Sequence, residues 1–101
     1  MITFQSKLME YTKELLEEIK KLAKDLTPIE EIAALLDVSE MELRQDINTP
    51  EHAARRAYMS GYAETSLKLR RMNIDLVNAG SPAADEACRQ YLKRMTRDID
   101  I

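Results

Sequence analysis

Two short apolar-faced segments joined by a very tight connection constrain this chain more than any other feature. Thr27-Pro28-Ile29-Glu30 and Ser39-Glu40-Met41-Glu42 both read as capping boxes. In each, the N-cap hydroxyl can accept from the N3 amide while the N3 glutamate reaches back to the N-cap amide. Pro28 suits the first helical position, where its missing amide has no helical acceptor. The first segment carries Ile29, Ile32, Ala33, Leu35 and Leu36, the second carries Leu43 and Ile47, and only Asp37, Val38 and Ser39 separate them. Helices this short do not hold alone, so they must pack on each other and on the rest of the chain. The pattern predicts a helix-turn-helix over residues 27–48, with Asp37 in the left-handed conformation that short polar side chains tolerate better than most.

The flanks are helical in pattern as well. Phe4, Leu8, Tyr11, Leu15, Ile19, Leu22 and Leu26 step by four and three, which predicts one helix from about Thr3 to Leu26 with a single buried stripe. Thr49 and Pro50 then predict the cap and first residue of a long helix, along which Ala54, Tyr58, Gly61, Thr65, Leu69, Met72 and Leu76 continue the same stepping. That helix should stop at Ala79-Gly80, with Gly80 as the C′ residue. Ser81-Pro82 restarts a last helix striped by Ala84, Ala87, Cys88, Tyr91, Leu92 and Met95, so residues 50–97 read as an antiparallel helical hairpin. With only two glycines and three prolines in 101 residues, the composition favours helix over sheet. The expected fold is all-α, about five helices in a single domain spanning residues 1–101.

Several kinds of chemistry are unsupported by the residues present. One histidine, His52, and one cysteine, Cys88, cannot assemble a His/Cys metal cluster or a hydrolase triad. The glycines Gly61 and Gly80 are too far apart for a phosphate-binding loop. No cofactor, metal or enzymatic activity is expected. His52 reads as a solvent-facing residue and Cys88 as a small core hydrophobe. The longest apolar run, residues 32–36, falls far short of the roughly 20 residues that span a bilayer. Residues 1–7 lack the charged-then-apolar pattern of a leader, and a cytoplasmic location is expected. Gly61 in mid-helix costs about 1 kcal/mol relative to Ala. With Ala53 and Ala57 it forms a smooth strip that another helix can approach closely, from the same chain or from a second subunit.

The net charge is −3, divided unevenly: residues 1–50 hold six Lys/Arg against eleven Asp/Glu, and residues 51–101 hold nine against seven. If the second helix of the helix-turn-helix entered a major groove, Ser39, Glu40, Met41, Arg44 and Gln45 would face the DNA, with Arg44 suited to guanine and Gln45 to adenine. Glu40, Glu42 and Asp46 oppose that role, because a duplex backbone repels them. Arg55 and Arg56 could add phosphate contacts, and a multimer would multiply weak ones. The competing reading is a helical interaction module whose acidic face meets a basic protein.

Two segments carry a resemblance to a known family: Pro28-Ile29-Glu30-Glu31-Ile32-Ala33-Ala34-Leu35-Leu36-Asp37-Val38-Ser39, and Ala57-Tyr58-Met59-Ser60-Gly61 running on to Ala79-Gly80-Ser81-Pro82-Ala83-Ala84. Their arrangement resembles phage and prophage helix-turn-helix proteins of the small terminase type. The resemblance implies a non-enzymatic protein that binds double-stranded viral DNA through residues 39–45, forms a homo-oligomer through the last two helices, and presents the DNA to an ATP-driven large terminase partner. A phage transcriptional regulator would share the same chemistry.

Overall fold

A computed structural model describes residues 9–99. The chain is all-α, with α1 (Lys13–Lys24), α2 (Ile29–Leu36), α3 (Glu40–Ile47), α4 (Ala53–Asn78) and α5 (Pro82–Arg97), and no strand among the described residues. None of these helices is long and apolar enough to cross a membrane. The contacts gather in two compact units, Met1–Thr65 and Ser66–Ile101, with the boundary inside α4.

In the first unit, helix boundaries follow local hydrogen bonding more than the apolar stripe. The Thr12 hydroxyl accepts from the Leu15 amide at 3.1 Å, so α1 begins at Lys13 and not near Thr3. Tyr11 consequently lies ahead of the helix, while Phe4 and Leu8 fall outside the described residues. At the other end Leu26 adopts φ 64°, the Thr27 amide donates to the Leu22 carbonyl at 3.0 Å, and the Leu26 amide donates to Ala23 at 3.0 Å. This is the Schellman closure that satisfies terminal carbonyls. It also overturns the expected Thr27 capping box: Thr27 completes α1, and Pro28 becomes the N-cap of α2 with no side-chain cap bond.

The connection from α2 to α3 follows the sequence expectation. Asp37 sits at φ 55°, ψ 50°, the Val38 amide reaches back to Ala33 at 3.0 Å, and the Ser39 hydroxyl accepts from the Glu42 amide at 3.2 Å. Beyond α3, three side-chain donors close its last carbonyls: Asn48 Nδ2 to Arg44 and the Thr49 hydroxyl to Gln45, both at 2.8 Å, and Arg55 Nη1 to Ile47 at 2.9 Å. Thr49 is therefore bonded backward and caps nothing ahead of it. The long helix starts at Ala53, after a left-handed Glu51 at φ 66°, and His52 Nδ1 accepts the Ala54 amide at 3.0 Å.

Ile19, Ile32, Ala33, Leu43, Ile47 and Ala54 form the buried core of this unit, with Tyr11, Leu15, Leu22, Leu36, Val38 and Tyr58 packed around them. The second unit is built differently. Gly80 at φ 93° ends α4, with the Ser81 amide on Leu76 and the Gly80 amide on Val77, both at 2.9 Å. The Ser81 hydroxyl then caps α5 by accepting from Ala84 at 3.2 Å, and Pro82 occupies the first turn. Asn73 Nδ2 donates to the Tyr91 hydroxyl at 2.9 Å, and the Arg70 guanidinium lies 6.0 Å from the Tyr91 ring centre. Joined by the short turn between Asn78 and Pro82 and meeting again at Tyr91, the two helices form an antiparallel hairpin. Ala84 is its single fully buried apolar side chain among the described residues.

Candidate functional site

The outer surface of α3 carries the residues that sequence reasoning assigned to DNA. Glu40, Met41, Arg44 and Gln45 are exposed, Met41 at 79%. Ser39 is also exposed, with its hydroxyl engaged as the helix cap. Arg44 Nη2 lies 3.1 Å from Glu40 Oε2 and 3.5 Å from Glu30 Oε1, so the one cation of α3 is flanked by two carboxylates. Glu30 thus pairs across to α3. Solvated pairs of this kind contribute about 0–1 kcal/mol each, so they leave Arg44 able to swing out, but the acidic surroundings stay. The two arginines expected to add phosphate contacts bond locally. Arg55 is half-buried on the Ile47 carbonyl, and Arg56 Nη1 donates to the Glu51 carbonyl at 2.6 Å. Both guanidinium groups act as local staples of the α3–α4 connection.

His52, expected in solvent, belongs to a half-buried polar cluster. The Tyr11 hydroxyl donates to Asp46 Oδ2 at 2.6 Å, His52 Nε2 is 3.8 Å from Asp46 Oδ1, and the Tyr11 and His52 rings meet edge-on with centres 5.1 Å apart. Because Nδ1 accepts the Ala54 amide, the neutral imidazole carries its proton on Nε2, the nitrogen facing Asp46. Burial first, then the hydrogen bond and charge of Asp46 and the charge of Glu42, push the Tyr11 hydroxyl well above the usual tyrosine range. Three elements are clamped together: the segment before α1, the end of α3 and the start of α4. The cluster acts as a structural clamp, and among the described residues no group of three or more His, Cys, Asp or Glu side chains could hold a metal ion. Sequence gave little sign of it beyond an apolar stripe that passes through Tyr11.

At Gly61 the strip of small residues is occupied from within the chain. Gly61 is buried against α1, and a Cβ built there would overlap the Lys20 carbonyl oxygen and lie 2.9 Å from the Lys24 amide nitrogen. Around this contact Glu64 receives Lys20 at 3.4 Å and Lys24 at 3.6 Å, and the Thr65 hydroxyl donates to the Lys24 carbonyl. The Lys20 hydrogen bond holds the Glu64 carboxyl below its ordinary range. Ala57 packs against the core and Ala53 is half-buried, and at Gly61 it is α1 of the same chain that makes the close approach the strip offers to another helix.

An apolar groove lies on the second unit. Between its two helices runs a groove of about 350 Å³ lined by Leu67, Arg70, Arg71, Ile74, Cys88, Tyr91, Leu92 and Met95. Its apolar walls are bare: Ile74 is 52% exposed and Leu92 and Met95 are each 62% exposed. Cys88 lines this groove half-buried, where a closed core was expected around it. Across the groove-forming helices, Leu69, Met72 and Leu76 are also exposed. The stripe that reads as core in sequence is covered at Ala54 and Gly61 and uncovered from Leu69 onward.

These features define an all-α protein with a compact first unit and an apolar helical hairpin. No family model, curated protein or solved structure matches the chain.

Proposed function

We propose that this chain is a non-enzymatic assembly module that works by covering the apolar groove of its α4–α5 hairpin with another helical surface. The bare groove carries this reading. A hairpin unit whose one buried apolar side chain among the described residues is Ala84 has too little burial of its own to offset chain ordering, and contiguous exposed apolar surface on a water-facing protein marks an interaction site. The test is sedimentation equilibrium over a wide concentration range, alongside binding of an apolar dye to dilute protein. The expected result is dye binding that diminishes as mass increases, with both lost in Leu92→Lys/Met95→Lys while helicity by circular dichroism is retained. A single-chain mass at every concentration together with no dye binding would overturn it.

A second reading, DNA recognition of the small terminase or phage-regulator type with a large terminase partner, is favoured by one observation. The three-residue turn and the Ser39 cap present Met41 and Gln45 uncovered beside an Arg44 held only by exposed ion pairs. Assembly would then multiply a weak contact made by each copy. Anisotropy of labelled duplex DNA at about 50 and 200 mM salt separates the readings. DNA docking requires salt-sensitive binding that is lost in Arg44→Ala/Gln45→Ala and strengthened in Glu30→Gln/Glu40→Gln. Indifference to all of these leaves assembly alone.

A further inference from the structure

We infer that the surface covering the hairpin groove is the same groove of a second copy, packed antiparallel so that the turn end of each hairpin lies against the open end of its partner; this rests on the assembly reading above. The groove spans matching lengths of the two helices, Leu67 to Ile74 on α4 and Cys88 to Met95 on α5. Two copies face to face complete a four-helix bundle with an apolar centre, the usual way helical hairpins acquire a core. A closed twofold pair uses the same patch on both partners, so nothing outside this chain is needed.

Charge chooses the orientation. Acidic side chains sit near the turn: Asp75 precedes Gly80 by five residues, and Asp85 and Glu86 follow it by five and six. Basic side chains sit farther away, with Lys68, Arg70 and Arg71 on α4 and Arg89, Lys93, Arg94 and Arg97 on α5. At 1.5 Å per residue the acids fall within about 10 Å of the turn and the bases roughly 13–25 Å from it. Arg89 is tied to Asp85 at 2.9 Å, and Asp98 is the one acid at the open end among the described residues. With both turns on the same side, Asp75 would stand level with the partner's Asp85 and Glu86, and Lys68 level with the partner's Lys93. The antiparallel pair replaces both repulsions by attraction, and the self-complementary pattern specifies register as charged flanks do in helical bundles.

The experiment is sedimentation equilibrium of the full chain and three exposed-site variants, Asp75→Lys, Lys68→Glu and the two combined, with dye binding on the same samples. The expected outcome is a wild-type dimer, about tenfold weaker dissociation constants for each single reversal, since each acts twice by symmetry, and recovery to within about threefold in the combined variant. Tighter association of Asp75→Lys would establish the opposite orientation and overturn the inference, as would a dimer indifferent to all three. A monomer that still binds dye would overturn self-association and leave the assembly reading with a different partner. A monomer that binds none would overturn both.

Discussion

At the scale of residues, the first unit depends on a few side chains that serve as connectors. Tyr11 is the clearest, since its hydroxyl bridges from the chain ahead of α1 to Asp46 on α3. Tyr11→Phe removes a hydrogen bond to a charged acceptor, and the expected loss is about 1–2 kcal/mol in urea unfolding, reduced by partial exposure. The alkaline behaviour follows from the sign of its shift. A hydroxyl whose folded pKa is raised contributes stability that is whole below the ordinary tyrosine value of 10.0 and is lost as pH climbs above it. Wild-type stability should therefore fall above about pH 10, and Tyr11→Phe should fall less; parallel curves would remove Tyr11 from the account. Glu51 tests backbone strain, since it is exposed at φ 66° and only its carbonyl is engaged, by Arg56. Glu51→Gly should stabilise by about 0.5–1 kcal/mol and Glu51→Val should destabilise by at least as much.

At the scale of elements, Gly61 decides how closely α1 and α4 meet. Gly61→Ala gains about 1 kcal/mol of helix propensity but sets a methyl group against the α1 backbone, which cannot move aside as a side chain would. A net loss of roughly 2 kcal/mol or more in urea unfolding is expected, whereas a stabilised variant would contradict the close approach. How well each element was legible in sequence tracks how local its cause is. The turn at Asp37 to Ser39 and the stop and restart at Gly80 to Pro82 were readable because one residue in each supplies a left-handed conformation and the next serine supplies a cap. The boundaries at Thr12, Thr27 and Thr49 were not. A threonine can cap forward, complete the preceding turn or bond back to a carbonyl, and here the three do one each. The half-burial of His52 and the local bonds of Arg55 and Arg56 were not legible for a related reason: their partners are backbone groups whose positions depend on where α4 begins.

At the scale of the whole molecule, the apolar stepping that predicts five helices does not say what covers each stripe. Periodicity marks a face that avoids water, and the same four-and-three stepping runs through Ala54 and Gly61, closed by the chain itself, and through Leu69 to Leu76, which are open. The all-α class was legible for that reason, and the uncovered groove was not. Its exposure makes the hairpin the part of the chain whose order depends most on a partner, because few buried contacts hold its helices against local opening. Amide hydrogen exchange of the full chain at dilute and concentrated conditions tests this most directly. The account predicts slower exchange at high concentration across residues 66–97, with α1, α2 and α3 unchanged. Equal protection of the hairpin at both concentrations, or a change confined to α1–α3, would contradict it.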